Sequence, residues 1–156
     1  MSATMIAKRL GELLIGKGLL TAGQLDHALQ EQRSTGELLG AILVRKGWVK
    51  EEDMLRTLGE QMGMPFVRLA DQSIDWTLAG RFPAALLTDH ACFPLRIESE
   101  WLIVAIADPL DAWAISELEK EASNRGRKLH LVLARTPEVR AAVAQAKQKA
   151  MGPRPL

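Results

Sequence analysis

The sequence predicts an α+β protein: an N-terminal repeat of four short helices, read as two helix–turn–helix pairs, packed on a small C-terminal α/β sandwich of three to four strands. Two observations carry this. Residues 9–61 state one pattern twice, with apolar positions at helical spacing. After Gly63-Met64-Pro65 the period changes, and short strand-like runs alternate with helical stretches. At 156 residues the chain fits one domain, or two small ones sharing a core.

The repeat pairs RLGELLIGKGLLTAGQLDHALQEQ (9–32) with LLGAILVRKGWVKEEDMLRTLGEQ (38–61), at a constant offset of 29 residues without a gap. Eight of the 24 positions are identical: Leu10/Leu39, Gly11/Gly40, Leu14/Leu43, Lys17/Lys46, Gly18/Gly47, Leu29/Leu58, Glu31/Glu60 and Gln32/Gln61. Roughly one or two identities are expected by chance at ordinary composition. A buried aliphatic stripe explains the repeated leucines. It explains the repeated glycines and glutamines less well, and these suggest a repeated task.

Taken in order, residues 1–8 read as a lead-in. Leu10, Leu13 and Leu14 fit a short helix over 9–15, and Gly18 stands where a left-handed residue stops it. Thr21 to Gln24 has capping-box spacing, and the helix that follows carries Leu25, Ala28 and Leu29 on one face. The second copy repeats this: a helix over 38–46, a stop at Gly47, and a helix from about Glu51 that turns Met54, Leu55 and Leu58 inward. Glu51, Glu52 and Asp53 fall in its first turn, where the helix dipole favours acidic side chains. These helices make up a duplicated subdomain over 9–62.

The α/β part spans 65–150. It begins with a short strand at 66–69 and a brief helix at 82–90 entered through Pro83. Two strand-like runs follow, 92–98 and 101–107, joined by a hairpin-like turn at Glu98-Ser99-Glu100. A helix over 111–124, a strand over 129–134 and a helix from Thr136 to about 150 complete it. Residues 151–156 are a tail.

Composition narrows the function. The chain carries 20 basic and 19 acidic residues, with eight of each sign in residues 1–64. A duplex-binding module usually shows a basic stripe, because phosphate neutralisation drives its affinity. Aromatic residues are few and tyrosine is absent, which gives single strands no stacking platform. No apolar run reaches the roughly 18 residues of a membrane span, and the N-terminus lacks the apolar run of a secretory signal. One cysteine, Cys92, rules out an internal disulfide and suits a reducing, cytoplasmic setting. His27, His90 and His130 show no metal spacing among themselves or with Cys92. No Ser–His–Asp or paired-carboxylate arrangement can be argued, so the chain is not expected to be an enzyme.

The stretches RLGELLIxxGLLTxxQLxxALxxQ and LGAILVxxGWVxxxxMxxxLxxQ, then MPFVRL and VAIADPLDxWAISEL, resemble the MshEN domain. That domain stands at the N-terminus of type II secretion and type IV pilus assembly ATPases, and at the end of some bacteriophage-adsorption-type glycosyltransferases. The likeness runs over about residues 8–147. No G-x-x-x-x-G-K-[ST] occurs, so the ATPase signature itself is missing. The resemblance implies a regulatory module that binds cyclic di-GMP and controls an attached or partner ATPase, glycosyltransferase or other secretion or pilus component. The alternative it implies is a ligand-free docking module of the same fold.

A ligand with two guanines and two phosphates about a two-fold axis suits a duplicated motif. In this reading Leu10-Gly11 and Leu39-Gly40 open helices, where backbone N–H groups attract a phosphate and glycine permits close approach; tight helix–helix packing at glycine is the rival. Arg9 offers a planar fork to a phosphate or guanine edge, and Leu38 stands at its place in the second copy. Gln32 and Gln61 bond a phosphate or base through their amides. Leu14, Leu43, Leu25, Met54, Leu29 and Leu58 form apolar walls, or equally core. Asp108 ends a buried strand. There its carboxylate selects guanine, whose N1–H and 2-amino group are adjacent donors, or instead caps the helix after Pro109.

Overall fold

The computed structural model describes the backbone of residues 3–151 and the side chains of 7–150. The described residues separate into two compact units, divided between Gly63 and Met64.

The first unit holds four helices: α1 (Ala3–Gly16), α2 (Ala22–Thr35), α3 (Leu39–Arg45) and α4 (Glu51–Met62). Helix α1 begins well inside the stretch expected as a lead-in, of which residues 1 and 2 lie outside the described residues. Nothing in Ala3–Lys8 breaks a helix, and Ala7 adds a buried position to the Leu10–Leu14 stripe. Gly18 and Gly47 take φ of +74° and +72°, so each copy turns between its two helices through the same left-handed residue. Helix α2 has the expected capping box, with Thr21 accepting from the Gln24 backbone and Gln24 accepting from that of Thr21. Gly36 and Gly63, also left-handed, end α2 and α4. Helix α1 packs on α4, and α2 on α3. Leu10, Leu14, Leu25, Leu39, Leu43 and Leu58 share one core with Ala28, Ile42 and Val49.

The second unit contains a three-stranded sheet in the order β1 (Cys92–Glu98), β2 (Trp101–Ile106), β3 (Lys128–Leu133). Strands β1 and β2 are antiparallel across a turn with Ser99 left-handed, and β2 and β3 are parallel. Helix α6 (Ala112–Asn124) makes the crossover between β2 and β3, the usual solution for a parallel pair. Helices α5 (Ala84–Asp89) and α7 (Thr136–Met151) pack on β1. The α+β class expected from sequence is therefore present. The strand expected at 66–69 is not a full strand: Phe66 makes a single parallel bridge to Leu133, and the chain turns into a 3-10 helix at Leu69–Asp71. The Leu69 N–H is taken by Glu138 of α7, which draws the backbone away from β3. Helix α5 is shorter than the 82–90 expected, because Pro83 is its extended N-cap rather than a first-turn residue. The tail expected at 151–156 lies outside the described residues except for Met151, which closes α7.

Candidate functional site

The duplicated motif makes equivalent contacts in its two copies. In the first copy, a Cβ on Gly11 would stand 2.5 Å from Leu25 Cδ1 and 2.8 Å from Cδ2. In the second copy, a Cβ on Gly40 would stand 3.0 Å from Met54 Sδ. Residues 11 and 25 map onto 40 and 54 by the offset of 29, so each glycine admits the corresponding side chain of its own copy. Helix–helix packing thus demands a glycine at 11, while at 40 the contact is looser and falls on the flexible Met54 thioether.

The helix-opening role for Leu10-Gly11 is corrected by α1: both residues lie in its interior, where backbone N–H groups are committed to helical bonds. Only Leu39-Gly40 begins a helix. Leu38 is its extended N-cap, and the N–H of Ile42 is the first to return to Leu38.

The other candidates divide by exposure. Leu10, Leu14, Leu39, Leu43 and Leu58 are 4% exposed or less and belong to the core, with Leu25 at 8%. Leu29 and Met54 lie half-buried against that core. Arg9 is exposed, as is Leu38 at 45%, so the two copies present a cation and an aliphatic side chain at the same phase. Gln32 and Gln61 are half-buried near the ends of α2 and α4, and the side-chain oxygen of Gln61 is shielded from solvent.

Asp108 belongs to the second unit. Its Oδ1 accepts from the Leu110 N–H at 2.9 Å and shapes the turn after β2. The helix cap is Asp111 instead, accepting from the Ala114 N–H at 3.0 Å and meeting His90 Nδ1 at 2.6 Å. In that unit a groove of about 560 Å³, lined in part by Val67, Arg96, Trp101, Ile103 and His130, contains none of the candidates.

Two charged pairs among the repeat identities were not assigned a role from sequence. Lys17 Nζ meets Glu60 Oε2 at 2.8 Å, and Lys46 Nζ meets Glu31 Oε1 at 3.3 Å. Each joins the end of the first helix in one copy to the second helix of the other. The available signal was the identity of opposite charges at both repeat positions. Arg45 adds bonds to Glu31 at 2.7 Å and Glu37 at 3.1 Å. The Arg45 bond, helped by Lys46, holds the Glu31 carboxyl below its ordinary range. Trp48, in the place of Leu19, meets His27 edge-on at 5.5 Å under the Lys46 ammonium.

Among the described residues no group of three or more His, Cys, Asp or Glu is placed to hold a metal ion. No helix among them is long and apolar enough to cross a membrane.

This arrangement defines a non-repetitive α/β unit joined to a duplicated helical one. The chain belongs to the MshEN domain family, whose model matches residues 62–153. It is 32% identical over 71% of its length to the type IV pilus assembly ATPase PilB of Myxococcus xanthus. It is 34% identical over 80% of its length to PilB of Thermus thermophilus, and 30% identical over 83% to the bacteriophage adsorption protein B of Escherichia coli. The chain spans 20%, 14% and 17% of those proteins, respectively. The structure of MshE with cdg shares its fold, with a TM-score of 0.77 at 24% identity, covering 88% of this chain and 97% of that one. A structure of the N-terminal domain of XpsE has a TM-score of 0.66 at 22% identity and covers 93% of this chain and 96% of that one.

Proposed function

We propose that this chain is a regulatory module that binds cyclic di-GMP through the first unit and controls an attached or partner pilus, secretion or glycosyltransferase machine in the cytoplasm. The module itself performs no chemistry. The observation that carries this reading is the reciprocal arrangement of two equivalent motif copies, which suits a ligand made of two equivalent halves. The MshE structure with cdg supports it as an example of the fold with that ligand. The duplicated stretch lies outside the 62–153 match, so the reading rests on the repeat itself and uses only residues of the first unit.

Arg9 supplies the cation and Leu38 its apolar counterpart. Gln32 and Gln61 supply amides, and Leu29 and Met54 supply aliphatic surface to the purines. The start of α3 at Leu39-Gly40 offers backbone N–H donors to a phosphate. Leu10, Leu14, Leu43 and Leu58 support this surface from the core. Gly11 seats Leu25.

Isothermal titration with cyclic di-GMP tests the reading, with Arg9→Ala as the probe. Arg9 is exposed, so its removal leaves the core intact. Loss of one charge-assisted hydrogen bond weakens binding about tenfold or more. An unchanged affinity removes Arg9 from the site. Absence of heat with the wild-type chain, together with an unmoved melting temperature, overturns the receptor reading in favour of a ligand-free docking module.

A further inference from the structure

We propose that Lys17 and Glu60, with their counterparts Lys46 and Glu31, are positioning residues that hold the two motif copies in the mutual register a two-halved ligand needs. This deepens the cyclic di-GMP reading and rests on it.

Adding 29 to Lys17 gives Lys46, and subtracting 29 from Glu60 gives Glu31. The 2.8 Å and 3.3 Å ion pairs are thus one contact made twice with the copies exchanged. The helices obey the same exchange: α1 packs on α4, and α3 packs on α2. Contacts of the form i with j and j with i are the mark of a two-fold interface, here closed within one chain. The pairs therefore report on the relation between copies, whereas the Gly11–Leu25 and Gly40–Met54 contacts act within one copy.

A leucine core resists separation of the helices, and its packing limits sliding, but apolar burial is non-directional and charged pairs add a directional preference to it. Charged pairs at the helix ends favour one register. A ligand that must touch both copies binds in proportion to the population of the correct register. Neither lysine needs to touch the ligand for this to hold.

The copies are not equally guarded. Glu31 also accepts from Arg45, whereas Lys17 meets Glu60 at the helix-end surface, with side chains 35% and 62% exposed. Lys17–Glu60 is accordingly the pair to probe.

The experiment is titration of the full chain with cyclic di-GMP as wild type, Lys17→Glu, Glu60→Lys and the charge-swapped double variant, at low and high salt. Each single reversal is expected to weaken binding roughly threefold, the scale of an exposed ion pair. The swap is expected to restore affinity to near wild type, and the single effects to shrink in high salt. Melting temperatures well above the assay temperature in all four chains ensure that lost affinity does not come from unfolding. Single variants that bind like wild type, or a double variant as weak as the two losses multiplied, overturn the inference alone. A wild-type chain that does not bind overturns the ligand reading and this inference with it.

Discussion

At the scale of single residues, the two repeat glycines make a testable contrast. Alanine at Gly11 would place its Cβ 2.5 Å from Leu25, a side chain only 8% exposed. Overpacking of that kind costs about 1–3 kcal/mol, against a gain of about 1 kcal/mol in helix propensity. Gly11→Ala is expected to be destabilising by about 1 kcal/mol. At Gly40 the neighbour is the flexible Met54 thioether at 3.0 Å, so Gly40→Ala should lie near neutral. Chemical denaturation of both variants checks this, and equal losses would contradict the packing account. Cys92 gives a second residue-scale prediction. Burial first, then the Asp111 carboxylate, pushes its thiol from about 9 up to about 12. The folded state thus retains a proton that the unfolded chain releases, and its contribution is complete below pH 9. Stability should fall as pH rises from 9 to 12. Cys92→Ser or Cys92→Ala should flatten that part of the profile, and a thiol reagent at pH 8 should react only as fast as the chain opens.

At the scale of elements, capping decided what periodicity left open. The sequence leaves Asp108 as a guanine contact or as the cap of the helix after Pro109, and the cap is what the structure decides. The folded chain uses Asp111, which lies next to the first helical residue and can reach the Ala114 N–H. Asp111→Ala should cost about 1 kcal/mol through the lost cap and free His90 from its 2.6 Å contact. Proton NMR of the imidazole checks the second effect, and thermal melting the first. Helix α1 shows the opposite error. The apolar positions 10, 13 and 14 place its start at Arg9, but an apolar stripe marks the buried face and not the helix boundary. Residues Ala3–Lys8 propagate the helix without contradiction. The edge bridge at Phe66 shows why a strand can fail: residues 66–69 read as a short strand, but the bond from the Leu69 N–H to Glu138 accompanies a turn into a 3-10 helix.

At the scale of the whole molecule, each unit has elements enough for its own core, and the second unit includes most of the matched family region. The fragment 64–156 is expected to fold alone with a cooperative melting transition; a non-cooperative melt would show that its core needs the first unit. Cyclic di-GMP should raise the melting temperature of the complete chain and not of that fragment. At a hundredfold excess over the dissociation constant the gain is about 2.7 kcal/mol. An equal rise in the fragment would move the site out of the repeat.

The repeat, the sequence of helices, the strands after residue 90, the turn glycines and the α+β class were legible in the sequence by itself. They follow from local spacing and from residue types with strong backbone preferences. The candidate site was legible as a list of positions, and only the tertiary structure sorted that list. Leu14 and Leu43 read the same as Leu29 and Met54 in the sequence, yet the first pair is core and the second half-buried. Spacing assigns a residue to a helix face but not to what covers that face. The reciprocal pairs Lys17–Glu60 and Lys46–Glu31 were decided by tertiary structure for the same reason. A repeat shows that two copies are equivalent, whereas only packing shows that each copy's charges complete the other's.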